Sequence, residues 1–160
     1  NFMKTGEYKK QKTISTITNA MDVGDPSNFV RILKLYNNNF QKLKKELTAY
    51  SFTDRETISG MQELHFKSKY LLDPHGATAY LGLKKYLVNN PGKIGVFLET
   101  AHPVKFSETV EKAIQTKIRI PEKILKLRKK KKEKTSIKNY KELKSFLLSN
   151  KWYFKYNIKL

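Results

Sequence analysis

Gly95-Val96-Phe97-Leu98-Glu99-Thr100-Ala101-His102-Pro103-Val104-Lys105-Phe106 is the stretch on which the reading of this chain turns. It starts inside an apolar run, residues 94–98, which a polar cluster, Glu99-Thr100-Ala101-His102, breaks at once. Pro103 then keeps His102 out of the helical region and in an extended or turn conformation. Ser107 stands where a helix N-cap would, with Glu108 and Glu111 following to match the helix dipole. The pattern predicts a strand, a polar turn and a helix. Ligands of α/β proteins bind at the carboxyl ends of strands. Thr100 and His102 are therefore expected where chemistry takes place.

Outward from this stretch, short apolar runs alternate with helical periodicities, which predicts an α/β fold of short strands and helices. Strands are expected at 13–18, 69–72, 94–98 and, at an edge, 118–120. Residues 1–12 are polar and lysine-rich and read as an incoming loop or tail. Residues 19–29 are dense in turn formers, with Gly24 free to take a positive φ and Ser27 or Asn28 able to cap a helix. That helix carries Phe29, Ile32, Leu33, Tyr36, Phe40, Leu43 and Leu47 on one face, with a weak point at Asn37-Asn38-Asn39. A second helix begins at Thr53 or Asp54, with Glu56 in its first turn. Asp73-Pro74-His75-Gly76 is a turn, and a helix over 77–88 carries the small residues Ala77, Ala79 and Gly82. Pro121 opens a helix from 122 to about 132, ending in Arg128-Lys129-Lys130-Lys131-Lys132. A last amphipathic helix follows Asn139, and Trp152-Tyr153-Phe154 either packs on the rest or forms a terminal strand. This divides the chain into 1–12, a domain over 13–120 and a helical, lysine-rich extension over 121–160.

The 160 residues suffice for one domain with a core. There is no cysteine, so neither a disulfide nor a thiolate metal site exists. His65, His75 and His102 lack the close spacing of metal ligands, and no metal is expected. No apolar run reaches membrane-spanning length and the first residues lack the apolar core of a signal peptide, so a cytoplasmic location is expected. The first residue is Asn1 rather than methionine, as in a fragment.

A net charge of +19 invites a nucleic-acid-binding reading. Arginine, the residue suited to guanine and to bidentate phosphate contact, occurs only at Arg31, Arg55, Arg119 and Arg128. Lysine, asparagine, isoleucine, tyrosine and phenylalanine share A/T-rich codons, and a biased genome yields this composition without selection for binding. A basic nucleic-acid-binding module remains the alternative function, and no specific nucleic-acid partner is expected.

The glycines form neither a dinucleotide loop nor a P-loop, and no nucleophile elbow is present. Two turns combine polar, small and proline residues after an expected strand: Asp73-Pro74-His75-Gly76-Ala77 and Thr100-Ala101-His102-Pro103. Either they face one crevice or both are ordinary capped helix starts.

Three blocks in order, Asn19-Ala20-Met21-Asp22-Val23-Gly24-Asp25-Pro26-Ser27-Asn28-Phe29, Asp73-Pro74-His75 and Thr100-Ala101-His102-Pro103-Val104-Lys105-Phe106, resemble blocks of the threonine synthase family, in its longer bacterial and fungal branch. The resemblance covers about 13–114 and continues more weakly to the C-terminus. It implies the C-terminal part of a fold-type II, tryptophan-synthase β-like enzyme, dependent on pyridoxal phosphate. Such carbon–oxygen lyases convert O-phospho-L-homoserine and water to L-threonine and phosphate. By position, Thr100 matches the hydroxyl that hydrogen-bonds the pyridine nitrogen, and Ala101 and Asp73 border the cofactor, although the family usually has Glu at the latter position. His102, Lys105 and His75 are implied in holding the substrate, and Gly76 replaces a larger residue. The Schiff-base lysine and the glycine-rich phosphate loop belong to the family's N-terminal part, which is the implied partner. No lysine here sits in that motif, so the chain alone is expected to be inactive.

Overall fold

The computed structural model describes residues 1–132 and 134–149, so the expectation for Trp152-Tyr153-Phe154 falls outside the described residues. The chain divides into two compact units, Asn1–Arg119 and Ile120–Leu160.

The first unit is built on two helices of equal length, α4 (Asp54–Ser68) and α5 (Pro74–Val88), preceded by α1 (Phe2–Thr5), α2 (Phe29–Leu35) and α3 (Phe40–Glu46) and followed by α6 (Ser107–Ile114). A capping box starts α4. Thr53 Oγ1 accepts from Glu56 N at 3.3 Å, and Thr53 N donates to Glu56 Oε2 at 2.7 Å. Lys69, in the left-handed region at φ 59°, stops it. Asp73 caps α5, and Pro74 occupies the first helical position, where its missing N–H costs nothing. Gly60 of α4 lets Leu81 of α5 approach closely. Across the same seam Glu63 accepts from Lys84 Nζ at 2.6 Å and Tyr80 Oη at 3.1 Å. Lys67 of α4 itself, whose Nζ donates to Glu63 at 2.6 Å, and then Lys84 and Tyr80 hold the Glu63 carboxyl down at about 2. The core gathers Met61, Leu72, Ala77, Val110, Ala113 and Ile118, with Tyr80, Phe97 and Phe106 packed against it.

The expected strands are not formed: among the described residues there is no strand at all. A strand exists only as half of a hydrogen-bonded pair, and these stretches find other partners or none. The amides of Thr16 and Ile17 donate to the carboxylates of Asp22 and Asp54. Ile118 N donates to Glu111. Along the run 94–98, Phe97 is half-buried while Ile94, Val96 and Leu98 are 99%, 84% and 72% exposed. The alternation of short strands and helices therefore gives way to helices joined by irregular stretches.

Other local expectations are also revised. The helix from Phe29 is two helices: Asn37 and Asn38 take positive φ (52° and 55°), and Asn39 caps α3 by accepting from Lys42 N. Asparagine tolerates that conformation and competes for backbone hydrogen bonds. Residues 1–12 start with a short helix, whose Phe2 ring meets those of Phe29 and Phe40 edge-on. Gly24 is required for close approach rather than for positive φ, because a Cβ there would overlap Gln11 O. Ser107 is the first residue of α6 rather than its cap, since a tight turn, Pro103–Phe106, already starts the winding.

The second unit contains α7 (Glu122–Arg128) and α8 (Tyr140–Leu148). The former ends before the lysine run, and the latter is capped by Asn139, which accepts from Glu142 N at 3.0 Å. Among the described residues no helix is long and apolar enough to cross a membrane.

Candidate functional site

A cleft of about 610 Å³ opens in the first unit between the end of α4 and the turn before α6. Its walls include Leu71, Thr100, Ala101, His102, Lys69 and Arg119. Thr100 is exposed and makes no hydrogen bond among the described residues, which leaves its hydroxyl free as donor and acceptor. His102 is also exposed, yet one ring nitrogen is committed: Nδ1 accepts from Val104 N at 3.1 Å and so caps the turn. Lys105 is exposed, outside the cleft wall, with Nζ 5.5 Å from the Phe106 ring centroid.

Asp73 and His75 form a buried pair behind that wall. Asp73 is fully buried, and its Oδ1 accepts from Gly76 N at 2.8 Å. Its Oδ2 lies 2.6 Å from His75 Nδ1. Ala20 N donates to His75 Nε2 at 3.2 Å, which makes Nε2 the acceptor and places the ring hydrogen on Nδ1, facing Asp73. The His75 ring also packs on Phe106, centroids 4.7 Å apart. The three sequence blocks thus meet: the first through Ala20, the second through Asp73 and His75, the third through Phe106.

Thr100, Ala101 and His102 therefore share one cleft. Asp73 and His75 sit next to it without lining it, and Lys105 stands aside. The residue that sequence reasoning passed over is Glu99, treated there only as part of a polar cluster. It lines the cleft, and its Oε1 accepts from Asp73 N at 3.0 Å. Its Oε2 is buried with no hydrogen-bond partner. Burial, joined by the nearby Asp73 carboxylate and opposed by the Asp73 N–H, pushes the Glu99 carboxyl up to about 7. Only the glycine at position 76 hinted at it, and that hint is readable only once the two turns are seen together. Among the described residues no group of three His, Cys, Asp or Glu side chains is placed to hold a metal ion.

The geometry has counterparts. Residues 77–147 match the family described as "Threonine synthase, C-terminal". Threonine synthase from Buchnera aphidicola subsp. Baizongia pistaciae is 42% identical over 123 residues, 77% of this chain and 28% of that protein. The Escherichia coli K12 threonine synthase is 37% identical over 123 residues, 77% of this chain and 28% of that protein. The crystal structure of the Escherichia coli threonine synthase superposes with a TM-score of 0.71 over 78% of this chain and 28% of that one. The PLP-bound threonine synthase from Brucella melitensis, 22% identical, shares the fold with a TM-score of 0.61 over 91% of this chain and 36% of that one. The chain spans about 28% of the length of the curated relatives it matches. By sequence and by fold the chain is similar to threonine synthases, over their C-terminal region.

Proposed function

We propose that this chain supplies one wall of the active site of a threonine synthase, which converts O-phospho-L-homoserine and water to L-threonine and phosphate. An N-terminal portion would complete it, bringing the cofactor-holding lysine and the glycine-rich phosphate loop. The chain by itself would be inactive. The observation that carries the reading is the Thr100 hydroxyl, unpartnered among the described residues, on the wall of a cleft of about 610 Å³.

Those residues fit one edge of pyridoxal phosphate. A hydroxyl can donate to a ring nitrogen, and the aliphatic surfaces of Leu71, Ala101 and Ile118 suit an aromatic face. When bound, the cofactor supplies an electron sink. Thr100 would hold the ring nitrogen. A neutral hydroxyl, unlike a carboxylate, does not compel that nitrogen to be protonated. Ala101 would pack beside the ring, and Asp73 would border it through Glu99 rather than by direct contact. His102 would hold the substrate phosphate, and Lys69 and Arg119, on the same cleft wall, add positive charge for it, whereas Lys105 lies outside that wall. His75 would hold the turn through Asp73 and Ala20.

The test is co-expression of the chain with its N-terminal portion, as wild type and as Thr100→Val. Wild type should turn over O-phospho-L-homoserine, and the chain alone should show neither cofactor absorbance nor turnover. The variant should lose about tenfold or more in turnover, the scale of one hydrogen bond to the reacting system. Full activity in Thr100→Val would sink the assignment.

A further inference from the structure

We propose that Glu99 is a positioning residue for Thr100: its carboxyl completes the capping box of α5 from a distant stretch and so ties the Thr100 turn to that helix. The inference rests on the reading of Thr100 given above and adds the device that holds it in place.

The two central helices show the same cap built in two ways. In a capping box the N-cap side chain accepts from the amide three residues on, and that residue's carboxyl accepts from the N-cap amide. At α4 both halves are local, Thr53 and Glu56. At α5 the first half is local, since Asp73 Oδ1 accepts from Gly76 N. The second half cannot be, because the residue three on is Gly76, which has no side chain. Glu99 takes that place, with Oε1 accepting from Asp73 N at 3.0 Å.

The space confirms the substitution. A Cβ built on Gly76 would lie 2.6 Å from Glu99 Cδ and overlap Oε2. Glu99 thus occupies the volume that the missing side chain would have used. Among the described residues this is the one hydrogen bond that joins 94–101 to another element. Ile94, Val96 and Leu98 on that run are exposed, and beside this hydrogen bond the run is held by Phe97, half-buried against the core and edge-on to Tyr80. Glu99 precedes Thr100 directly, so fixing its side chain limits where the Thr100 hydroxyl can point. The raised protonation of Glu99 agrees with its seat: a neutral carboxyl beside buried Asp73 avoids a repulsive carboxylate pair.

Separating a positioning role from a merely stabilising one takes four forms of the full chain: wild type, Glu99→Gln, Glu99→Ala and the double variant Gly76→Glu with Glu99→Ala. The readouts are Asp73 amide exchange and backbone ¹⁵N order parameters at Thr100 and Ala101. Glu99→Ala should speed Asp73 exchange about tenfold, the scale of one hydrogen bond. It should also drop the order parameters at Thr100 and Ala101 from about 0.85 to below about 0.6. Glu99→Gln keeps the acceptor oxygen and should stay near wild type. In the double variant a local carboxyl restores the cap. Asp73 exchange should slow again while Thr100 and Ala101 stay mobile. The proposal is overturned if Thr100 and Ala101 keep wild-type order in Glu99→Ala, or if the double variant restores their order. Should Glu99→Ala fail to fold, the double variant against Glu99→Gln decides in the same way. None of these readouts involves the cofactor, so a fully active Thr100→Val would remove the Thr100 assignment and leave the Glu99 result standing.

Discussion

Gly76 yields its side-chain space to Glu99: any Cβ at position 76 would collide with the Glu99 carboxyl. The two residues are therefore one choice. Replacing Gly76 with alanine should expel the Glu99 side chain and unmake its bond to Asp73 N. Alanine favours a helix by about 1 kcal/mol, whereas overpacking costs about 1–3 kcal/mol, so the expected net is a loss of up to about 2 kcal/mol. Urea unfolding of the chain measures it. A gain in stability would mean that Glu99 moves aside freely.

The Glu99 carboxyl also sets a pH dependence. Its value rises from 4.5 to about 7 on folding, so the folded chain binds more protons there than the unfolded chain. Its contribution to stability is present below about 4.5 and lost as pH rises through about 7. Glu63 has the opposite sign: lowered to about 2, it stabilises above its ordinary 4.5 and stops doing so in acid. The two windows do not overlap. The wild-type melting temperature should fall relative to that of Glu99→Gln between about pH 5 and pH 8. Parallel curves over that range would show that Glu99 is ionised in the folded chain.

Val96 tests whether the run 94–98 is a docking edge for the N-terminal portion. At 84% exposure it has little packing to lose, so Val96→Asp should change the stability of the chain by no more than about 0.5 kcal/mol. In co-expression, the same change should weaken assembly with the N-terminal portion, because a buried charge without a partner is costly. Co-purification at graded salt reads the effect, and undiminished assembly would place the docking surface elsewhere.

Much of the helical frame was legible in the order of residues, because its signals are local. Thr53 and Glu56 announce α4, Asp73 and Pro74 announce α5, and Asn139 announces α8. The three-asparagine patch was visible as a weak point, but only the structure shows two residues in the left-handed region there and two helices in place of one. The strands were misread because periodicity reports a preference for extended backbone, while a strand needs a partner alongside it. That Thr100, Ala101 and His102 share one cleft could be anticipated because they are contiguous. The geometry of Asp73 and His75 could not, since their partners, Ala20 and Glu99, are far away in the chain.

The sequence by itself determined the starts of α4, α5 and α8, a weak point at Asn37 to Asn39, and a family resemblance carried by three short blocks. Each depends on neighbours within a turn or two, or on a string of letters. Only the tertiary structure decided that those blocks converge, that Asp73 faces inward rather than toward the cleft, and that Glu99 serves as the missing side chain of Gly76. The reason is physical: a capping box needs one carboxyl oxygen at one amide, and hydrogen-bond geometry does not depend on whether that oxygen comes from the next turn or from across the fold.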